Sequence, residues 1–169
     1  VDLLEWMMGD VESVFAKMTT ALANVETEDT AIVTLKFKNG ALGIIEATTA
    51  TRPANLEGSI SILGENGTVV VGGVAVNEMQ TWAFEDVKDG DSTVLEEFSV
   101  NPPNVYGFGH QAYYEHAVDC IVNGSANLVD GLQGRKSIEL ISAIYESAET
   151  GKEVFLKFQP KHCRLGQKS

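Results

Sequence analysis

Thr30-Ala31-Ile32-Val33-Thr34-Leu35-Lys36-Phe37-Lys38-Asn39-Gly40-Ala41-Leu42-Gly43-Ile44-Ile45-Glu46-Ala47-Thr48-Thr49 reads as two strands rich in β-branched residues, hinged at Asn39-Gly40. Asn-Gly favours a two-residue type I′ turn, because both residues tolerate positive φ and the turn's twist matches that of the strands it joins. Such a turn sets Lys38 opposite Ala41. One face then collects Val33, Leu35, Phe37, Leu42 and Ile44, and the other Ile32, Thr34, Lys36, Ile45, Ala47 and Thr49. The first row is expected to be core, with Glu46 on it. The second mixes Ile with Thr and Ala, a composition suited to a sheet face that meets another subunit.

Outward from this hairpin the pattern stays antiparallel. A period near two runs from Val11 to Gly73. Ser59–Leu63, the Gly64-Glu65-Asn66-Gly67 turn and Thr68–Val71 form a second hairpin, and Val74–Phe84 and Val94–Phe98 read as further strands around the acidic turn Asp86–Asp91. Helical spacing appears late. Residues 110–122 carry Tyr113, Ala117, Cys120 and Ile121 on one stripe and end at Gly124; Asp130 with Gln133 resembles a capping box ahead of Ile138, Ile141, Tyr145 and Ala148, and Gly151 stops that helix. Glu153–Phe158 returns as a strand. Asp2–Met8 has a helical pattern barely two turns long, with Asp2 and Glu5 spaced as a capping box and Gly9 at its end. Strands first and helices after, without βαβ alternation, predict an α+β fold: an open, mainly antiparallel sheet with helices 110–122 and 135–150 on its core face.

The composition is that of one globular core: 169 residues, 44% hydrophobic and 21% charged. A net charge of -12 would repel a phosphate backbone, so nucleic acid is not an expected partner. No apolar run approaches the roughly 20 residues of a membrane helix, and no signal peptide is visible. Cys120 and Cys163 form no disulfide framework, which makes a reducing, cytoplasmic setting the expectation. Lys157, Lys161, Arg164 and Lys168 come after the last acid, Glu153, as a basic tail.

Motifs for phosphate cradling, zinc hydrolysis or a nucleophilic serine are absent, and His110, His116 and His162 lack metal-ligand spacing. Three side chains stand out as candidates. His110 opens a helix directly after Asn101-Pro102-Pro103-Asn104-Val105-Tyr106-Gly107-Phe108-Gly109, a loop whose rings can line a pocket mouth and bring Tyr106 with them. Arg52, after Thr48-Thr49-Ala50-Thr51, has the paired donors to hold a phosphate or carboxylate. Glu46, on an apolar row, would have its charged form disfavoured and so suit a general base.

Several strings together resemble the C-terminal domain of the glucose-fructose oxidoreductase, inositol dehydrogenase and MocA (Gfo/Idh/MocA) family. Val1–Gly9 resembles the segment just after that family's active-site His, in a pattern like G-x-H-x-x-D-L-L-x-W-x-x-G. Glu28-Asp29-Thr30-Ala31 with Asn39-Gly40-Ala41-Leu42-Gly43 is similar to its E-D-x-A...F-x-N-G-x-x-G stretch, and Ile62–Val69 to its I-x-G-x-x-G-T-x pair. Val129–Leu140, Ala143–Ala148 and Gly151–Val154 match its D-G-x-x-G-x-x-S...A-I-Y-x-S-A...G-x-x-V ending. The resemblance implies a substrate-binding and oligomerisation domain over 1–158, with a basic tail at 159–169. It also implies an N-terminal Rossmann domain, with the catalytic Lys and His, upstream of Val1. The intact protein would transfer a hydride between NAD or NADP and a sugar or sugar nucleotide, of a type that includes 3-dehydrogenases of UDP-N-acetylglucosamine-like sugars. Homodimers or homotetramers would form through the sheet face. His110, Tyr106 and Arg52 would contact substrate, this chain would hold no cofactor or metal, and the isolated chain would be inactive. The competing expectation is a free-standing sheet domain for self-association or partner binding.

Overall fold

A computed structural model describes residues 1–56, 58–73, 76–100, 102 and 106–157. In chain order its elements are α1 (Asp2–Met8), β1 (Val11–Thr19), β2 (Thr30–Phe37), β3 (Leu42–Thr48), β4 (Ile60–Leu63), β5 (Gly67–Gly72), β6 (Glu78–Phe84), α2 (Val94–Glu97), α3 (Gly109–Asn123), α4 (Gly131–Thr150) and β7 (Val154–Phe155). The fold is α+β, and every strand pair among the described residues is antiparallel. Two compact units result. One comprises Val1–Pro53 with the chain from Leu128 onward, the other Ala54–Asn127. No helix among the described residues is long and apolar enough to cross a membrane. The basic tail, with His162 and Cys163, lies outside the described residues, as do Val74 and positions 101 and 103–105 of the loop before His110.

The first unit is a four-stranded sheet in the order β3-β2-β1-β7. Its central hairpin exists where the sequence predicts it, but the register differs by one residue. Lys36 faces Leu42, Leu35 faces Gly43 and Val33 faces Ile45. The cause is the turn: Gly40 N–H donates to Phe37 O (2.9 Å), Phe37 N–H donates to Ala41 O (2.9 Å), and the loop holds three residues rather than two. Only Gly40 takes positive φ, at 91°, while Asn39 Oδ1 accepts from Ala41 N–H at 3.0 Å. Because side chains alternate with period two, this single-residue change moves all of β3 to the opposite face from that expected. Leu42, Ile44 and Glu46 join Ile32, Thr34 and Lys36 on the open face, whereas Ile45 and Ala47 join Val33, Leu35 and Phe37. Phe37 is fully buried and Ile44 is 73% exposed. Gly43 packs tightly on the core row, the Phe37 ring lying with Cε2 3.0 Å from where a Cβ would stand.

Helix α4 covers that core row. Asp130 caps its start, Oδ1 accepting from Leu132 and Gln133 N–H at 2.9 Å each, and Gly151 ends it at φ 66°. The helix therefore begins at Gly131, earlier than the predicted 135. Its buried residues are Leu140, Ala143, Ile144 and Ser147, with spacings of three, one and three along one stripe. The expected stripe was different: Ile138 and Ile141 are exposed, while Tyr145 and Ala148 are partly buried, Ala148 against the core. Two features select the observed face. Ala143 is small enough to let the helix approach the sheet, and Ser147 Oγ accepts from Ala16 N–H at 3.0 Å while donating to Lys152 O at 2.6 Å. A buried serine thus takes a core position by satisfying two backbone groups that an Ile would leave unpaired.

The second unit holds the sheet β4-β5-β6 and helices α2 and α3. Residues 94–97 form one helical turn instead of the predicted strand, since Val94 and Phe98 are spaced four apart and no neighbouring strand pairs with them. Phe98 O instead accepts from Met79 N–H at 3.1 Å. In α3 the predicted limits hold to within a residue, with Gly124 at φ 70°, but none of its residues is buried.

Candidate functional site

His110 and Tyr106 are brought together by local geometry. Gly107 turns the chain at φ 67°, Phe108 occupies the cap position of α3, and His110 enters the first helical turn. Tyr106 is thereby folded back on His110, the two rings meeting edge to face with centroids 6.2 Å apart. Both side chains are exposed. A phenol and an imidazole each both donate and accept, which suits them to sugar hydroxyls. Along α3 beyond them runs an open hollow of about 440 Å³, lined by Tyr114, Glu115, Val118, Asp119, Val122 and Asn123. Its two carboxylates make it a poor seat for an anion.

Arg52 belongs to the other unit. Its Nη1 donates to the neighbouring Thr51 O at 2.9 Å and its side chain is exposed. Glu46 does not lie on the core row: the register places it, exposed, on the open face opposite Ile32. Among the described residues no cluster of His, Cys, Asp and Glu is arranged to hold a metal ion. No parallel strand pair occurs among the described residues.

The most extensive polar arrangement was not among the sequence candidates. Asp29 is almost fully buried in the connection between β1 and β2, and its Oδ2 accepts from the N–H groups of Ala21 (2.9 Å), Leu22 (2.6 Å) and Ala23 (2.9 Å). Next to it, Glu28 Oε2 accepts from the Tyr145 hydroxyl of α4 at 2.7 Å, an interaction that pushes the Tyr145 pKa up. The Glu28-Asp29 pair is therefore an architectural device: one carboxylate organises a loop and the other ties it to the helix. The amides, those of Ala23 and Leu22 foremost, hold the Asp29 carboxyl down from 3.8 to about 2. A lowered native pKa contributes stability that is present above the unfolded pKa and lost as pH falls through the folded one. The gap in urea midpoint between the wild type and Asp29→Asn is accordingly expected to be constant above about pH 5 and to shrink between about pH 4 and pH 2. A gap independent of pH across that window would remove Asp29 as its source.

The chain belongs to the Gfo/Idh/MocA oxidoreductases: residues 1–156 match the model of the oxidoreductase family's C-terminal alpha/beta domain. Among solved structures it is similar to the WlbA dehydrogenase from Bordetella pertussis in complex with NADH and UDP-GlcNAcA, at 43% identity and a TM-score of 0.86 over 94% of this chain and 45% of that one. The corresponding complex of the Chromobacterium violaceum WlbA dehydrogenase is likewise 43% identical, with a TM-score of 0.83 over 94% of this chain and 44% of that one. A curated relative, the D-apiose dehydrogenase of Rhizobium rhizogenes, is 25% identical over 91% of this chain and 45% of its own length. The chain thus spans less than half the length of these relatives.

Proposed function

We propose that residues 1–158 are the substrate-binding and oligomerisation domain of an NAD(P)-dependent oxidoreductase acting on a CH-OH group of a sugar or sugar nucleotide. The observation that carries this reading is the 43% identity, over nearly the whole chain, to dehydrogenases solved with NADH and UDP-GlcNAcA. On this reading the Rossmann domain, with the catalytic Lys and His, lies upstream of Val1, and the chain alone is inactive and binds no dinucleotide. When bound there, the oxidised nicotinamide would accept the hydride from the CH-OH carbon. In this chain, His110 and Tyr106 orient sugar hydroxyls, and Arg52 offers paired donors to an anionic group such as a uronate or diphosphate.

Assembly is assigned to the open face of the first unit. Ile32, Leu42 and Ile44 are all more than half exposed there, which leaves contiguous apolar surface for a second copy to cover. Glu46, Lys36 and Thr34 lie between and beside them and supply polar contacts.

The test is steady-state kinetics of the full-length protein on a panel of nucleotide sugars and free sugars, with His110→Ala beside the wild type. Loss of one hydrogen bond to an uncharged hydroxyl should lower kcat/KM about two- to tenfold. An unchanged kcat/KM would make His110 a helix-start residue only. Absence of nicotinamide turnover with every sugar would overturn the dehydrogenase reading itself.

A further inference from the structure

We propose that the β2-β3 hairpin tip and the first turns of α4 form a positioning clamp on α1, through Lys38, Asn39, Lys136 and Ser137. The clamp would act on the reaction by orienting the segment that enters α1 at Val1; this role rests on the dehydrogenase reading, in which the active-site His precedes Asp2.

A helix of seven residues does not hold itself in water, and α1 buries none of its residues completely. Leu4 and Met8 rest on the core, while Trp6 is 79% exposed. Its direction is therefore set largely by polar bonds at its two ends. At the start, Asp2 does not cap the helix as its spacing with Glu5 suggested. Val1 occupies the cap position without a side-chain bond, and Asp2 Oδ1 accepts from Ser137 Oγ at 3.1 Å. At the other end Asn39 Nδ2 donates to Met8 O at 3.0 Å, and Lys38 N–H donates to Asp10 O at 2.9 Å. The ammonium groups of Lys38 and Lys136 then take one oxygen each of the Asp10 carboxylate, at 3.1 and 3.0 Å. These bonds, the one from Lys136 first, hold the Asp10 carboxyl below its usual range.

Leverage makes the clamp consequential. At 1.5 Å per residue α1 is about 10 Å long, so a tilt of about 6° about its Asp10 end moves the Val1 end by about 1 Å. A displacement of that size at a reacting group can cost about a hundredfold in rate. Exposed ion pairs, by contrast, contribute little to stability. Loosening the clamp should therefore lower turnover out of proportion to any loss of folded protein.

In the full-length protein, Lys136→Met and Lys38→Met are expected to lower kcat tenfold or more, with KM and the melting midpoint little changed and with Lys136→Arg restoring most of the rate. Ser147→Ala, on the same helix but bonded to β1, should do the reverse: a lower melting midpoint at wild-type kcat. In the 169-residue chain, the amides of residues 4–9 should exchange hydrogen faster in both clamp variants. Should Lys136→Met fail to fold, Lys38→Met carries the same readouts. Wild-type kcat in well-folded clamp variants, or unaltered exchange in α1, overturns the clamp while leaving the dehydrogenase reading intact. An inert wild type overturns that reading and the clamp's catalytic role together.

Discussion

Replacing Phe37 by Ala is expected to lower the unfolding free energy by about 3 to 5 kcal/mol, whereas Ile44→Ala should change it by less than about 0.5 kcal/mol in the unassembled chain. The two residues shared one row in the sequence-predicted register and have opposite fates in the structure. Phe37 is fully buried among Val11, Val14, Val33, Leu35 and the α4 residues Leu140, Ala143 and Ile144, with its ring against Gly43. Truncation there removes apolar contact from both layers and leaves a cavity that two backbone-anchored elements cannot close. Ile44 has little to lose, since most of its side chain already meets water. Urea unfolding at a concentration too low for assembly checks both. A large loss for Ile44 as well as for Phe37 would restore the two-residue turn and overturn the register.

On the proposed assembly face the same exposure makes Ile44 consequential. Ile44→Asp is expected to weaken self-association by more than a hundredfold in Kd, read as a shift of sedimentation coefficient toward the monomer. Burying one large aliphatic side chain contributes roughly 1.5 to 3 kcal/mol, and in a two-fold contact each substitution counts twice. That amounts to about 3 to 6 kcal/mol, or at least two decades in Kd. A buried, unpaired carboxylate would add to the loss. Ala31→Asp, at a buried position on the core row, should instead act on folding. An unchanged oligomer in Ile44→Asp would assign assembly to another surface.

Of the candidate site, the part legible in sequence is the part built locally. His110 and Tyr106 are four apart across Gly107, so a glycine turn and a helix start suffice to bring their rings together. Arg52, by contrast, is given among the described residues only the bond to the adjacent Thr51 carbonyl. What the sequence could not show were the buried or clustered carboxylates. Asp29 collects amides six to eight residues away, and Asp10 gathers Lys38 and Lys136 from 28 and 126 positions along the chain. Such partners become neighbours only once the sheet and helix have formed. The E-D string common to the family was the available signal for Asp29, and its spacing gave no hint that the role was to order a loop.

By itself the sequence determined that the chain would fold as antiparallel hairpins and then helices, because period-two alternation, Asn39-Gly40, Asp130 and Gly151 act through bonds between near neighbours. Its ordered motifs also determined family membership, which the match over residues 1–156 bears out. Tertiary structure decided which face of each element is inside. On β3 both faces are apolar enough, Leu42 and Ile44 against Ile45 and Ala47, so alternation could not choose between them; one extra loop residue did. On α4 the Ile138 and Ile141 stripe is the more hydrophobic to read, yet the helix turns Ser147 inward, since only a hydroxyl there satisfies both the Ala16 amide and the Lys152 carbonyl. In both cases local propensity left two nearly equal solutions, and backbone hydrogen bonds made across the fold selected one.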